Sequence, residues 1–345
     1  MTDSDAPDGI DQHRVGAWLT ERVPDLAPPF RYELIIGGRS NLTYCVTDAN
    51  GRRCVLRRPP LGHLLATAHD VAREYRIVEA LGPTPVPVPR ALAVCEDPEV
   101  NGAPFAVTEF VDGVVLDVPE KAAQLDAASL RAISCHLMDV LADLHAVDLE
   151  AAGLSGLSRH DSYIERQVAR WSKQWAGSRT RELPLIDDVE ARLRGAIPRQ
   201  QGVTIVHGDY RFGNCITDVG RGEIAAVLDW ELCTLGDPLA DLGHMGIYWH
   251  DAADPLPLTN DPTSGGAFPP FGELLRRYAA RTGRDVSQMG YYRAFAAWRL
   301  AIIAEGVASR HRERHPEDDG ALALSQQAVQ RLAEYALASL NAPAA

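Results

Sequence analysis

Two short polar strings in this chain have residue types and spacing suited to chemistry. The first is Ile205-Val206-His207-Gly208-Asp209-Tyr210-Arg211-Phe212-Gly213-Asn214, and the second is Leu228-Asp229-Trp230-Glu231. An apolar run delivers His207 and Asp209 into a loop, and Asn214 opens the next apolar run. Asp229 ends the run that returns, and the turn at Gly220-Arg221-Gly222 predicts that Asn214 and Asp229 come close together. An Asp and an Asn offer hard oxygen atoms of the kind that hold Mg²⁺. Asp209 is then a separate carboxylate, free to orient a hydroxyl. Phosphoryl transfer needs this set: ligands for a metal that binds and neutralises phosphates, and a carboxylate to accept the nucleophile's proton.

Together the strings resemble the aminoglycoside phosphotransferase superfamily, a branch of the protein-kinase-like fold. His-Gly-Asp-x-x-x-x-Asn matches that family's catalytic loop, and Leu-Asp-Trp-Glu matches its version of the kinase metal-binding Asp-Phe-Gly. Gly236-Asp237-Pro238-Leu239-Ala240-Asp241-Leu242-Gly243 extends the likeness, which covers residues from about 30 to 310. The resemblance implies that Asp209 is the catalytic base and that Asn214 and Asp229, also catalytic, ligate Mg²⁺. His207 would brace the loop. Arg211 would neutralise phosphate or pair with an acid, and Asp241 would cap a helix and hydrogen-bond the loop. The implied fold is α+β and bilobal. An N-lobe over 1–111 has an antiparallel sheet with one helix and binds ATP. A mostly helical C-lobe over 112–345 carries the catalytic loop, the metal site and the acceptor pocket.

The resemblance also assigns the nucleotide contacts. Gly37-Gly38-Arg39-Ser40-Asn41 would cover the phosphates, with backbone N–H groups around Gly38 and the Ser40 and Asn41 side chains facing phosphate oxygens. Thr108-Glu109-Phe110-Val111 resembles the hinge that reads adenine, through the Glu109 C=O and the Val111 N–H. The kinase lysine of the third strand is replaced by Arg57, with Glu74 as its carboxylate partner on the following helix. Lys121 and Lys173 are the only lysines among 34 basic residues, so no lysine in the first 120 positions can take over that task. A guanidinium can hold phosphate and carboxylate together, often through two hydrogen bonds, although its reach and planarity differ from those of an ammonium.

These residues need elements to position them. The apolar pattern predicts a helix over 15–23 and strands over 32–36, 43–47 and 53–57, with Asn50-Gly51 as a hairpin turn. A helix over 70–81 places Val71, Tyr75, Val78 and Leu81 on one face. An extended Pro-rich connector over 83–89 leads to strands over 90–95 and 105–110, and Asp112-Gly113 reads as a lobe boundary. A buried helix follows over 127–147, and short strands follow over 203–206, 215–217 and 224–228. The connection over 251–272 is long for a structural link.

Composition narrows the function further. The chain has 345 residues, a formal net charge of −13 and 46% hydrophobic residues. The apolar fraction excludes disorder, and the acidity excludes a general nucleic-acid binder. The acidic, polar beginning and the lack of a membrane-length apolar stretch predict a cytoplasmic protein with no membrane partner. Six scattered cysteines predict reduced residues, mostly in the core. The resemblance to the superfamily implies a small-molecule alcohol as the partner. Gly-Gly-x-Ser-Asn-Leu-Thr-Tyr, Val-Leu-Arg-Arg-Pro-Pro and Asp-Trp-Glu-Leu-Cys-Thr-Leu-Gly-Asp-Pro resemble the kinase-like domains associated with acyl-CoA dehydrogenases, which implies a hydroxyacyl thioester or similar acceptor. The competing acceptor is a cationic aminoglycoside, for which Asp251, Asp254 and Asp261 are candidate acids. Trp249, Tyr291, Tyr292 and Trp298 either line an apolar acceptor pocket or pack the core. A catalytically weak nucleotide-binding pseudokinase is the other alternative. A two-metal phosphoesterase is disfavoured, because the upstream Asp11-Gln12-His13 lies at the polar beginning of the chain and no Gly-Asn-His occurs.

Overall fold

The computed structural model describes residues 7–35, 41–61, 70–159, 161–251, 261–314 and 319–342. Gly38 and Ser40 of the glycine-rich loop lie outside the described residues, as does Asp254. The chain forms two compact units: Met1–Gly113 with Ala225–Glu231, and Val114–Ile224 with Leu232–Ala345. The sequence places the division near Asp112 but leaves 225–231 with the second lobe. Those residues join the first unit because the Val227 N–H donates to the Pro87 carbonyl (2.8 Å) and Asp229 pairs with Arg57. The elements are mixed α and β, as expected.

The first unit holds a five-stranded antiparallel sheet: β1 (Arg31–Leu34), β2 (Leu42–Thr47), β3 (Arg53–Arg58), β4 (Ala91–Cys95) and β5 (Phe105–Glu109). Their order is β1-β2-β3-β5-β4. Three helices accompany it: α1 (Gln12–Arg22), α2 (Val71–Leu81) and the one-turn α3 (Pro98–Asn101). Asp11 and Asp70 start α1 and α2, each accepting the backbone N–H three residues on. Val15 and Leu19 of α1 pack with Tyr44, Val46, Cys54, Leu56 and Phe105 on one sheet face. Val71 and Tyr75 of α2 pack with Ala106 on the other.

Alternation along β3 decides where its two arginines go. Cys54, Leu56 and Arg58 are buried on the α1 face. There the Arg58 guanidinium donates to the carbonyls of Gly9, Pro59 and Asn101. Arg57 faces the opposite way. It stands across from Ala106, which belongs to the α2 face.

The second unit is mostly helical: α4 (Pro119–Ala122), α5 (Ala127–Leu144), α6 (Tyr163–Ser178), α7 (Pro184–Gly195), α8 (Leu239–Ile247), α9 (Phe271–Thr282), α10 (Met289–Arg314) and α11 (Asp319–Asn341). In α5, Leu130, Ile133, Leu137, Val140, Leu141 and Leu144 are all buried, as their 3–4 spacing requires. The helix stops at Leu144, three residues before the expected end, with His145 as its C-cap. Two small ladders interrupt the helices. β6 (Thr204–Val206) pairs antiparallel with β9 (Thr234–Gly236), and β7 (Cys215–Asp218) forms a hairpin with β8 (Glu223–Val227). All six cysteines are free, four of them buried and two half-buried. Among the described residues no helix is long and apolar enough to cross a membrane.

Helix α8 lies tightly against α10. A Cβ on Gly243 would sit 2.5 Å from the backbone carbonyl of Tyr292, which is shorter than a real contact and blocked by main chain rather than by a movable side chain. Gly243→Ala should therefore push the two helices apart at a cost of about 1–3 kcal/mol. A thermal melt checks this, with a drop of several degrees expected. An unchanged melting temperature would contradict the close approach.

Candidate functional site

The residues of the first polar string, 205–214, lie in the second unit. The Ile205↔Leu235 pairing of β6 with β9 fixes the loop's entry. Gly208 follows with φ of +86°, a left-handed conformation that favours glycine. The loop closes with a 3-10 turn, Phe212–Asn214, that leads directly into β7. This turn brings the Asn214 side chain back to Asp209. Its Nδ2 donates to the Asp209 carbonyl (2.8 Å) and to Oδ2 (2.7 Å). The amide nitrogen is thus committed to Asp209, and Oδ1 is the atom left to face a cation.

The other carboxylate oxygen, Oδ1 of Asp209, is held by His244 Nε2 at 2.6 Å and by Arg211 Nε at 3.2 Å. Burial opposes the charge on Asp209. The His244 hydrogen bond and the nearby Arg211 outweigh it and keep the carboxyl well below its usual range. Arg211 therefore pairs with an acid, one of its two expected roles, and its guanidinium carbon also lies 5.1 Å from the centre of the Tyr248 ring.

Asp241 holds the loop's backbone. Its Oδ2 accepts the His207 N–H (2.7 Å) and its Oδ1 the Gly208 N–H (2.8 Å). It does not cap α8, whose N-cap position is Pro238 with no side-chain bond. The first turn of that helix points the carboxylate at the loop instead. His145 Nε2 reaches the same Oδ2 at 3.3 Å. Burial pushes the Asp241 carboxyl up, and the His145 bond and backbone N–H groups bring it down below its usual value. His207 is fully buried and accepts the Asp209 N–H on Nδ1 (3.2 Å), which suits a brace.

The nucleotide-side residues lie in the first unit. Arg57 bridges two carboxylates: its Nε is 3.1 Å from Glu74 Oε2 and its Nη2 is 2.6 Å from Asp229 Oδ1. The first contact is an ion pair rather than a well-aligned hydrogen bond, since Nε has no acceptor in good geometry. Asn41 Nδ2 donates to Glu74 Oε1 (3.2 Å). Burial lifts the Glu74 carboxyl to about 7, against the pull of Arg57. Asp229 has φ of +64°, uncommon for a residue other than glycine. Glu109 ends β5 opposite Cys54, three residues along β3 from Arg57, or roughly 10 Å. Val111 follows two residues later and is half-buried.

The candidate acceptor residues divide differently. Trp249, Tyr291, Tyr292 and Trp298 are all buried, and each ring's polar atom donates within the protein, to Pro269 O, Leu193 O, Asp237 and Ile186 O respectively. They are core residues. Trp249 alone also edges a small cavity, beside Phe212 and Tyr248. Asp261 is buried and accepts from the Thr263 N–H and hydroxyl, and burial raises its carboxyl to about 6. It is not an exposed acid. Among the described residues no group of three His, Cys, Asp or Glu could hold a metal.

Sequence reasoning missed His244, Arg299 and His145. His244 carried one readable signal: it lies three residues after Asp241 and directly follows the Gly236–Gly243 string, hence on the same helix face as Asp241. Arg299 and His145 reach the site from other helices and gave none.

The model of the phosphotransferase enzyme family matches residues 31–267. Acyl-CoA dehydrogenase family member 10 of Mus musculus is 37% identical over 278 residues, covering 79% of this chain and 26% of that protein. Acyl-CoA dehydrogenase family member 11 of Rattus norvegicus is 30% identical over 341 residues, covering 95% of this chain and 43% of that protein. The chain thus spans less than half the length of either relative. Among solved structures, a Ralstonia eutropha protein assigned to the aminoglycoside phosphotransferases superposes with a TM-score of 0.79 at 31% identity, covering 95% and 98% of the two chains. An amicoumacin kinase in complex with AMP-PNP, Ca²⁺ and Ami shares the fold, with a TM-score of 0.61 at 13% identity, covering 94% of each chain. With both strings in place and the family match spanning well over half of its length, the chain belongs to the phosphotransferase enzyme family.

Proposed function

We propose that the chain is a Mg-ATP-dependent kinase that phosphorylates a hydroxyl of a small molecule, with a hydroxyacyl thioester-like metabolite as the acceptor class. The observation that carries this reading is the Asp209 carboxylate, ionised and held on both oxygens by Asn214, His244 and Arg211. In the reaction the acceptor hydroxyl donates to Asp209, its oxygen bonds to the γ-phosphorus, and the bond to the β-bridging oxygen breaks to release ADP. A carboxylate of such low basicity accepts the proton late, so its first task is orientation. The relatives' dehydrogenase names support the acyl acceptor. The aminoglycoside alternative loses Asp261, which is buried and bonded.

Asn214 and Asp229 fit a hard cation: one offers an amide oxygen, the other a carboxylate. They are the residues that would hold Mg²⁺, which when bound would neutralise charge on the transferred phosphoryl group. Arg57, anchored by Glu74, would meet the α- and β-phosphates. Asn41, with Gly38 and Ser40, would cover the phosphates, and Glu109 and Val111 would read adenine through their backbone.

Three outcomes follow. Asp209→Ala should lower ADP release from Mg-ATP about 10²- to 10⁴-fold across a panel of hydroxyacyl thioesters and aminoglycosides. Rates equal to wild type would remove Asp209 as the base. Arg57→Ala should raise the KM for ATP more than Arg58→Ala, which should lower the melting temperature instead, because Arg58 ties three carbonyls on the α1 face. Matching effects on both quantities would contradict the register of β3. The third concerns pH. The Glu74 carboxyl titrates near 7 in the fold against 4.5 ordinarily. Its raised value favours folding fully below about 4.5, and that contribution is lost as pH rises through 7. Nucleotide binding should run the other way, since only ionised Glu74 anchors Arg57: affinity for Mg-ADP falls as pH drops from 8 to 6. Calorimetric titrations of wild type and Glu74→Gln check this, the variant being nearly flat. A variant with the wild-type pH slope would count against Glu74.

A further inference from the structure

Helix α8 and its C-cap residue present three side chains to the catalytic loop: Asp241 and His244 from the helix and Tyr248 from the cap, spaced three and four residues apart. Asp241 holds the loop backbone, and Tyr248 lies against the guanidinium of Arg211. His244 alone touches the Asp209 carboxylate, through Nε2. Its other ring nitrogen, Nδ1, faces Arg299 of α10 at 3.0 Å. The same Arg299 Nη2 donates to the Gly208 carbonyl at 2.7 Å, which fixes the guanidinium in place.

The protonation of the ring follows from these partners. A guanidinium only donates, so Nδ1 must be the bare, accepting nitrogen. The single ring proton then sits on Nε2 and points at Oδ1 of Asp209. An imidazolium would need a second proton on Nδ1, directly against an arginine N–H. Burial, and then the charge of Arg299, also depress the ring's basicity, against the opposing pull of Asp209 and Asp241. His145 repeats the arrangement one turn of chemistry away. Its Nε2 faces Asp241, and its Nδ1 faces the Tyr278 hydroxyl (2.7 Å), which itself accepts from Arg284 (3.3 Å).

We propose that His244 is a positioning residue: a neutral imidazole, its tautomer set by Arg299, whose Nε2–H fixes the Asp209 carboxylate in the orientation that receives the acceptor hydroxyl. The assignment rests on Asp209 being the base. A charged histidine here would form a tight ion pair and quench the carboxylate. A neutral donor aligns it and leaves its negative charge available. Arg211 and Asn214 hold the same carboxylate from the loop itself, so they move with it. His244 ties it to a helix, and Arg299 ties that contact to a second helix.

The test has two arms. In the first, a long-range ¹H–¹⁵N spectrum of the labelled full chain at pH 7 reports the ring states of its 11 histidines. The signal lost in His244→Gln belongs to His244, and it should show the neutral form protonated on Nε2. In Arg299→Met it should shift towards a mixture of tautomers. An imidazolium, or a proton on Nδ1, overturns the proposal. In the second arm, ADP release from Mg-ATP is compared for His244→Leu and His244→Gln, each with a melting curve. Leucine offers no N–H and should lower kcat on the order of 10- to 100-fold with little change in the KM for ATP. Glutamine keeps an N–H within reach and should recover most of the rate. Equal losses in the two variants, or no loss in leucine, would overturn it. If the wild type binds Mg-ATP but transfers nothing, the proposed function fails, while the ring state still decides how Asp209 is held.

Discussion

The second unit is organised around one buried charge. The Asp241 carboxylate, fully buried, accepts the backbone N–H groups of His207 and Gly208 and a bond from His145. An unpaired carboxylate in that position would be prohibitively costly, so the loop cannot leave it without a large penalty. This fixes the path of the chain between β6 and the 3-10 turn, and hence the place of Asp209. The close approach of α8 to α10 at Gly243 then decides which side chains can reach Asp209 from outside the loop. Helix α8, through His244, and the loop residues Arg211 and Asn214 together set the direction of the carboxylate.

The first unit solves a different electrostatic problem. Replacing the expected lysine by Arg57 gives a planar donor that spans two carboxylates at once, Glu74 through Nε and Asp229 through Nη2. A lysine would present a single point charge there. Glu74 is the weak member of the set, because burial above all, together with the nearby Asp229 and Glu231 charges, lifts it to about 7. The arginine-rich composition of the chain therefore has a local consequence. It gives Glu74, the group that titrates near neutrality, an arginine as its ion-pair partner.

Much of this was legible in the sequence. Strand alternation and the Asn50-Gly51 turn gave β2 and β3 to within a residue at each end, and the 3–4 spacing in 127–144 gave α5. The Asp209–Asn214 spacing is local, so the two residues could be placed in one loop directly. Contacts between residues far apart in the chain could not. The return of 225–231 to the first unit depends on Val227 meeting Pro87, and the tautomer of His244 depends on Arg299, 55 positions on. The aromatic residues Tyr291, Tyr292 and Trp298 offered two readings because hydrophobic type does not distinguish a pocket wall from a core. Their bonded polar atoms do.

The proposed reaction moves a phosphoryl group from ATP to a hydroxyl. ³¹P nuclear magnetic resonance of the protein turning over Mg-ATP with hydroxyacyl thioesters follows that directly. A phosphomonoester signal should grow in step with ADP, one for one. ADP forming with inorganic phosphate alone, or bound ATP that stays intact with every acceptor offered, would contradict it.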